Sequence, residues 1–300
     1  YQDLNGVWQD IDYSITANDA NKNFKFSNET NEIKSYFPEN SGSKSVLMKS
    51  ESGINLSWWK SPSLKLTSNG SVLSSFSAAS KNGSVKGNSI VYNNVYPNIS
   101  EEFQILPGGM ENNTIINSLD ASIRNLPSGA MMEFSQIIEL KKGWKVNANG
   151  RVQSGSFESK DFFISIPGQN DVLNFSPIIV FDNNLSKNEV LNLTATPKEK
   201  LTSDQKARIS EYIFQCNYVA EITSEGLKIT TKLPVSWLTE TKRAFPVTID
   251  PTVTIGALTT GNFYGPITHW YGFQRHADLY LQSEVGVYGT ITAIEYYKTG

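Results

Sequence analysis

The sequence is poor in the residue types that carry out much of the nucleophilic and acid–base chemistry of enzymes. Of its 300 residues, one is cysteine and two are histidine. A single cysteine cannot form an intramolecular disulfide, and it excludes zinc sites built from several cysteines. Cys216 lies between Phe214 and Tyr218 at strand spacing, so we expect it to be a small buried residue rather than a reactive thiol.

Long runs of apolar or basic residues are absent as well. No apolar stretch approaches the length of about 18 residues that spans a bilayer as a helix, so we expect no membrane span. The 26 basic and 29 acidic side chains are interspersed and give a net charge of -3. Because nucleic-acid binding requires a clustered basic surface, we expect no nucleic-acid partner.

Residues that favour strands and tight turns are abundant. Ser, Asn, Thr and Gly are frequent, and 11% of the residues are aromatic, which suits strands better than helices. Asn-Gly pairs at residues 69–70 and 149–150 separate alternating apolar residues, as in two-residue hairpin turns. The sequence predicts an all-β fold, in which a β-sandwich precedes the first strands of a second β-sandwich or jelly-roll-like domain.

Two polar segments interrupt the strand pattern. Residues 203–212 are rich in helix formers and predict one short helix, capped by Thr202 or Ser203. The segment FDNNLSKNE at residues 181–189 carries oxygen ligands of the kind that calcium prefers. A polar loop is the alternative, and otherwise we expect no cofactor. The calcium candidates are Asp182, Asn183, Asn184 and Glu189.

The stretch RAFPVTIDPTV, at residues 243–253, ends one strand and begins another. Apolar residues alternate up to Ile249, and Pro251 follows. Because proline cannot donate to a strand ladder, we expect the strand that ends at Ile249 to be the last of its domain. This places one β domain at residues 1–252 and the start of a second, incomplete β domain at residues 253–300. The abrupt ends suggest an excerpt from a longer secreted protein.

Three stretches share their order and spacing with one known family: GVWQDID at 6–12, IVYNNVYPNISEEFQILPGGMENNTII at 90–116 and LPVSWLTETKRAFPVTIDPTVT at 233–254. They resemble a domain near the start of large bacterial surface proteins, including wall-associated proteins and those with Rhs/YD repeats. The chain departs from the family pattern at Glu101-Glu102 and at residues 111–113, positions to which the resemblance attaches no catalytic role. The matching residues in the last two stretches are Tyr92, Asn94, Val95, Tyr96, Pro97, Gly109, Glu111, Trp237, Leu238, Arg243 and 245–251.

The tail at residues 259–300 shows a different pattern, in which a Tyr-Gly-Pro turn precedes an aromatic pair and an arginine. It resembles the first part of a module that is frequent in secreted Bacteroidetes proteins. This resemblance implies export by a type IX-like system and display on the outer membrane. The matching residues are Tyr264, Gly265, Pro266, Trp270, Tyr271, Arg275, Ser283, Glu284, Gly289, Ile291 and Ile294.

The two histidines offer few options for a catalytic or metal-binding site. His269 and His276 both lie in the tail, and Asp278 is two residues from His276. This spacing suits a surface pair better than a catalytic triad. The two histidines also lack a third clustered ligand for a metal.

Carboxylates and aromatic residues are the other candidates for a site. A glycosidase needs two carboxylates across a cleft. Glu101 and Glu102 are neighbours on a strand and point to opposite faces, so they do not form such a pair. Asp10 and Asp12 are candidates only because they carry carboxylates. Aromatic rings stack on sugars when they are exposed. Because Trp58 and Trp59 are adjacent on a strand, we expect one ring in the core and one on the outside. Trp270 and Tyr271 are also adjacent, and one of their rings could be exposed in the same way. The ligand-binding candidates are therefore Trp58, Trp59, Trp270 and Tyr271.

Taken with the two resemblances, these features predict a non-catalytic, cell-surface region of a large secreted bacterial adhesin. Its expected partners are an extracellular polysaccharide or surface and the outer-membrane secretion and attachment machinery. Two alternatives stay open. One is a structural shell of an Rhs-like protein, and the other is an accessory module of a secreted polysaccharide hydrolase or peptidase.

Overall fold

A computed structural model describes residues 12–18, 23–31, 33–42, 44–51, 53–127, 129–169 and 171–257. The strands in these ranges are β1 (Thr16–Ala17), β2 (Phe26–Asn28), β3 (Ile33–Phe37), β4 (Val46–Ser50), β5 (Asn55–Trp58), β6 (Lys60–Ser68), β7 (Ser71–Ser77), β8 (Gly83–Lys86), β9 (Ser89–Tyr96), β10 (Ile99–Leu106), β11 (Gly109–Ile116), β12 (Ala130–Ile138), β13 (Lys145–Ala148), β14 (Arg151–Val152), β15 (Ser156–Ser159), β16 (Phe162–Ser165), β17 (Asp171–Phe175), β18 (Ile178–Asp182), β19 (Ile213–Cys216), β20 (Tyr218–Thr223), β21 (Gly226–Pro234), β22 (Val247–Asp250) and β23 (Thr252–Ala257). The helices are α1 (Ala121–Arg124), α2 (Lys187–Ala195), α3 (Ser203–Tyr212) and α4 (Val235–Leu238).

The fold is all-β, as predicted, and its strands form three antiparallel sheets. A twelve-stranded sheet has the order β14-β13-β16-β17-β23-β11-β10-β9-β8, with β18, β19 and β22 joined to it beside β11. A six-stranded sheet has the order β15-β20-β21-β12-β6-β7, and a five-stranded sheet runs from β1 to β5. The five-stranded sheet follows the chain order, as in a meander. The two larger sheets also pair strands that are far apart in the sequence, such as β6 with β12 and β11 with β22.

Aromatic rings hold the sheets together. Tyr96 of the twelve-stranded sheet contacts Phe134 of the six-stranded sheet, and Phe162 contacts Tyr218 in the same way. Phe103 is fully buried and touches rings from the five-stranded sheet and from β9. Burying each such ring contributes roughly 1.5–3 kcal/mol. The core therefore lies between the sheets, in the layered arrangement of a sandwich.

The local turn and helix predictions are confirmed. Asn69 and Gly70 have φ of 49° and 79°, and Asn149 and Gly150 have φ of 52° and 73°. These values match the primed turns that join strands in tight hairpins. Helix α3 spans the predicted residues, and the Thr202 side chain accepts from the backbone N–H of Gln205.

Helix α2 was missed by the sequence analysis, which treated its first residues as part of a polar or calcium-binding loop. A capping box between Ser186 and Glu189 begins the helix. The Ser-x-x-Glu spacing could have revealed it. Helices α2 and α3 bury a small separate cluster made of Phe181, Leu185, Val190, Leu193 and Leu201.

The prediction that the strand ending at Ile249 is the last of its domain is wrong. Strand β23 follows Pro251 directly and pairs with both β11 and β17. Residues 252–257 therefore belong to the same twelve-stranded sheet as β22. Proline is tolerated here because it sits in the junction between the two strands rather than within either ladder. The rest of the predicted second domain, residues 258–300, lies outside the described residues.

Candidate functional site

The two adjacent tryptophans are both buried, so the prediction of an exposed ring at this pair is wrong. Trp58 is 1% exposed and Trp59 is 2% exposed. Alternation between faces holds only while the backbone is extended, but Trp59 has φ of 59°. This left-handed conformation turns its ring into the core, where it stacks on Tyr92. Neither ring offers a face to a sugar, and Trp270 and Tyr271 lie outside the described residues.

A second backbone irregularity, just after Trp59, interrupts the pairing of β6 with β12 in the six-stranded sheet. Ser63 pairs with Ser135, but Lys60 pairs with Ile137, so two residues of β6 face Gln136 alone. This is a β-bulge, a feature that re-aims side chains and interrupts a ladder. One of the two bulged residues, Ser61, has φ of 49°.

A polar groove lies at this bulge, beside the turn between β20 and β21. Its volume is about 300 Å³, at the lower end of the range for small-molecule sites. Two of its side chains carry opposite charges, Glu225 and Lys228. The groove can therefore exchange several hydrogen bonds with a hydroxyl-rich ligand. Its lining residues are Ser61, Ser63, Ser135, Gln136, Ile137, Thr223, Ser224, Glu225 and Lys228.

A smaller cavity of about 30 Å³ lies on the other side of β12, between the sheets. Ser135 and Gln136 line both spaces. The cavity also contains Glu101, which accepts from Asn112 Nδ2 at 2.8 Å and from Thr114 Oγ1 at 2.9 Å. The volume is enough for about two water molecules and is too small for a sugar. It is therefore an internal polar pocket.

Among the described residues that line this pocket, Glu101 supplies the carboxyl group. Burial raises its pKa to about 8, although the hydrogen bonds from Thr114 and Asn112 act in the opposite direction. Asn112 Oδ1 also accepts from Gln136 Nε2 at 3.3 Å. A chain of hydrogen bonds thus joins Glu101 of the twelve-stranded sheet to Gln136 of the six-stranded sheet.

A second polar cluster lies on the opposite face of β10 and β11. Glu102 accepts from Asn113 Nδ2 at 3.2 Å, while Lys187 of α2 forms an ion pair with Glu111. The prediction that Glu101 and Glu102 do not act as a pair is confirmed, because their partners lie on opposite faces. Burial raises the pKa of Asp250 to about 7, and the nearby Glu111 carboxylate adds to the increase.

Lys187 holds this outer cluster together. Burial alone lowers the pKa of its ammonium group, but the carboxylates of Asp250 and Glu111 outweigh that effect and raise the pKa. The lysine therefore stays charged and offsets the surrounding carboxylates. In the part of the chain that the structure describes, no three His, Cys, Asp or Glu side chains are placed to hold a metal ion.

The calcium candidates have other partners. The Asp182 carboxylate is fully buried and accepts from Arg243 Nη1 at 2.7 Å. The guanidinium of Arg243 lies 3.5 Å from the centre of the Trp237 ring. Asn184 donates to Asp182, and Glu189 caps α2 and pairs with Arg208 at 3.0 Å. Both carboxylates of the segment 181–189 thus serve internal contacts.

Several other sequence candidates can be placed. Cys216 is buried, as predicted; burial raises the pKa of its thiol to about 12. Asp12 is exposed and accepts from the backbone N–H of Ser14. Asp10, His269, His276 and Asp278 lie outside the described residues. Within the described ranges, no helix combines the length and apolar character needed to cross a bilayer.

Two of the three stretches that carry the first family resemblance meet in the structure. Residues 90–116 form β9, β10 and β11, and residues 247–250 form β22, which pairs with β11. Trp237 and Arg243, from the same closing stretch, pack against each other. A scan against protein-family models and a search of curated proteins both found no match for this chain.

Proposed function

We propose that this chain is a non-catalytic, cell-surface region of a large secreted bacterial adhesin, which presents a surface for adhesion or gliding. The observation that supports this best is the polar groove of about 300 Å³ at the β6 bulge. The hydroxyls of Ser61, Ser63 and Ser224, with the opposite charges of Glu225 and Lys228, suit an extracellular polysaccharide. The resemblance of the tail to a module of secreted Bacteroidetes proteins favours export to the outer membrane and attachment there.

In each copy of the protein, the groove would bind a polysaccharide weakly. A hydrogen bond exchanged with water contributes only about 1 kcal/mol net, and none of the described residues that line this groove is aromatic. Adhesion by such a site depends on many copies acting together on one surface, which raises avidity without new contacts. A protein displayed densely on a cell provides that arrangement.

A buried ion pair in the twelve-stranded sheet suits a region that bears load. Arg243 ties the end of β18 to the segment before β22 through the Asp182 carboxylate and the Glu211 backbone carbonyl. Strand β22 in turn pairs with both β11 and β18. Breaking such an internally paired guanidinium is strongly unfavourable, so the sheet would resist being pulled apart there.

The test is binding of the 300-residue chain to a panel of polysaccharides and abraded surfaces. The groove variant is Ser63→Val with Lys228→Met, which removes two polar contacts and keeps strand-compatible side chains. The control is Lys86→Met, an exposed lysine on β8. We expect saturable binding that the groove variant weakens about tenfold or more and the control leaves unchanged, with folding verified by circular dichroism.

Two results would contradict this proposal in different ways. If no polysaccharide or surface binds, this region is not adhesive, and a structural shell of an Rhs-like protein becomes the better explanation. If binding is saturable but equal in the groove variant, the chain is adhesive through another surface.

A further inference from the structure

Strand β7 is an edge strand with an exposed, uncharged surface. Among the described residues it pairs with β6 alone, on one side, and ends the six-stranded sheet. Within the described residues the exposed large hydrophobic side chains are Val72 at 55%, Leu73 at 44% and Val152 at 55%. Two of these three lie on β7. Edge strands are usually protected by charge, by proline or by a bulge. The sequence SVLSSFS has neither charge nor proline, and its bulge lies near one end of the strand, beside Val72.

We propose that β7 pairs antiparallel with β7 of a second copy of this chain, joining two six-stranded sheets into one. The inference is independent of the proposed adhesive function. Edge strands carry unpaired backbone N–H and C=O groups, and another strand satisfies them. A two-fold arrangement uses the same edge in both copies and then closes.

The register of the proposed pair of β7 strands follows from the hairpin that β6 and β7 form. Val72 pairs with Thr67 and Ser74 with Leu66, so Leu73 is the extra residue of a bulge. The regular part of the edge is therefore Ser74–Ser77. A two-fold axis at Ser75 keeps residues 74–76 paired within this regular part, with Ser75 opposite its own copy and Ser74 opposite Phe76. It also brings the exposed Val72 and Leu73 of each copy beside the partner's end of the strand.

Charge favours a second copy as the occupant. Two neutral strands meet without like-charge repulsion, whereas a charged peptide would find no opposite charge on β7. The nearest lysine, Lys65, pairs with Ser75 from β6. The β6 strands of the two copies would be three strand spacings apart, about 14 Å, which exceeds the screening length of about 8 Å at physiological salt.

The test is sedimentation analysis of the 300-residue chain from micromolar to submillimolar concentration at physiological salt. We expect a concentration-dependent dimer. Ser75→Lys places two ammonium groups opposite each other across the axis, and should weaken the dimer about fivefold or more. Ser84→Lys, on the exposed edge strand β8 of the other sheet, is the control and should dimerise like the wild type.

A charge swap makes the test specific for the register. An equimolar mixture of Ser75→Lys and Ser75→Glu chains should recover the dimer, because opposite charges then face each other. Val72→Glu, whose neighbour Thr67 is neutral, should also weaken the dimer and leaves the hairpin intact. A wild-type chain that stays monomeric at every concentration overturns the proposal. So does a dimer that Ser75→Lys and Val72→Glu leave unchanged.

Discussion

Replacing Glu101 with glutamine tests the buried pocket between the sheets. Glu101 is 4% exposed, and glutamine has the same shape and can still accept from Asn112 or Thr114. Burial raises the pKa of the Glu101 carboxyl from 4.5 to about 8. The folded protein therefore keeps a proton on this group at pH values where the unfolded chain has released it.

The sign and size of the effect follow from proton linkage. Between pH 4.5 and about 8 the folded state binds more protons at Glu101 than the unfolded state does, so the free energy of unfolding falls as pH rises. The contribution is fully present below pH 4.5 and is lost as pH rises through about 8. At about 1.4 kcal/mol per pH unit, the total is on the order of 5 kcal/mol. Glutamine does not titrate and removes this dependence.

The assay is urea unfolding of the wild type and Glu101→Gln at a series of pH values from about 4 to 9. The two proteins should have similar stability at the acidic end, and the variant should be the more stable one at the alkaline end. Asp250 titrates in both proteins, so its effect cancels in the difference. Glu139→Gln, at an exposed glutamate, is the control and should follow the wild type. Parallel curves for wild type and Glu101→Gln would refute the reasoning.

Further substitutions test the internal contacts, and each can be read as the free energy of unfolding in urea. Arg243→Met leaves the buried Asp182 carboxylate without its ion-pair partner and should cost about 3–5 kcal/mol. Arg208→Met breaks the half-exposed ion pair with Glu189 and should cost less than about 1 kcal/mol. Gly226→Ala should cost about 2 kcal/mol or more, because φ is 134° and the new Cβ would lie 2.2 Å from a strand carbonyl; Gly155→Ala meets nothing within 4 Å and should be nearly neutral. Cys216 should react with a thiol reagent only as fast as the chain unfolds, since burial raises the pKa of the thiol to about 12; rapid reaction of the folded protein would contradict its burial.

Features that depend on neighbouring residues could be predicted from the sequence. The turns at Asn69-Gly70 and Asn149-Gly150 need positive φ at two adjacent residues, and this pair adopts it at low cost. Helix α3 was predicted from its cap and composition. Helix α2 had an equally local signal at Ser186 and Glu189, although the polar composition of this segment is also typical of a metal-binding loop.

Features that depend on distant residues could not be predicted in the same way. Whether Trp59 is inside or outside depends on a left-handed backbone conformation that the alternation of side chains does not reveal. The groove requires the bulge in β6 to meet Gln136 of β12 and the turn at Ser224, which come from three separate parts of the chain. No spacing rule connects those residues.

The sequence by itself determined the all-β class, the tight turns, the buried cysteine and the opposite orientation of Glu101 and Glu102. These follow from backbone preferences and from the alternation of side chains along a strand, which act over a few residues. Only the tertiary structure decided that β23 continues the sheet after Pro251, that Arg243 takes Asp182 as its partner, and that Glu101 is enclosed. The reason is physical: pairing, burial and the electrostatics of a carboxyl group depend on which strands come together, and residues far apart in the chain supply them.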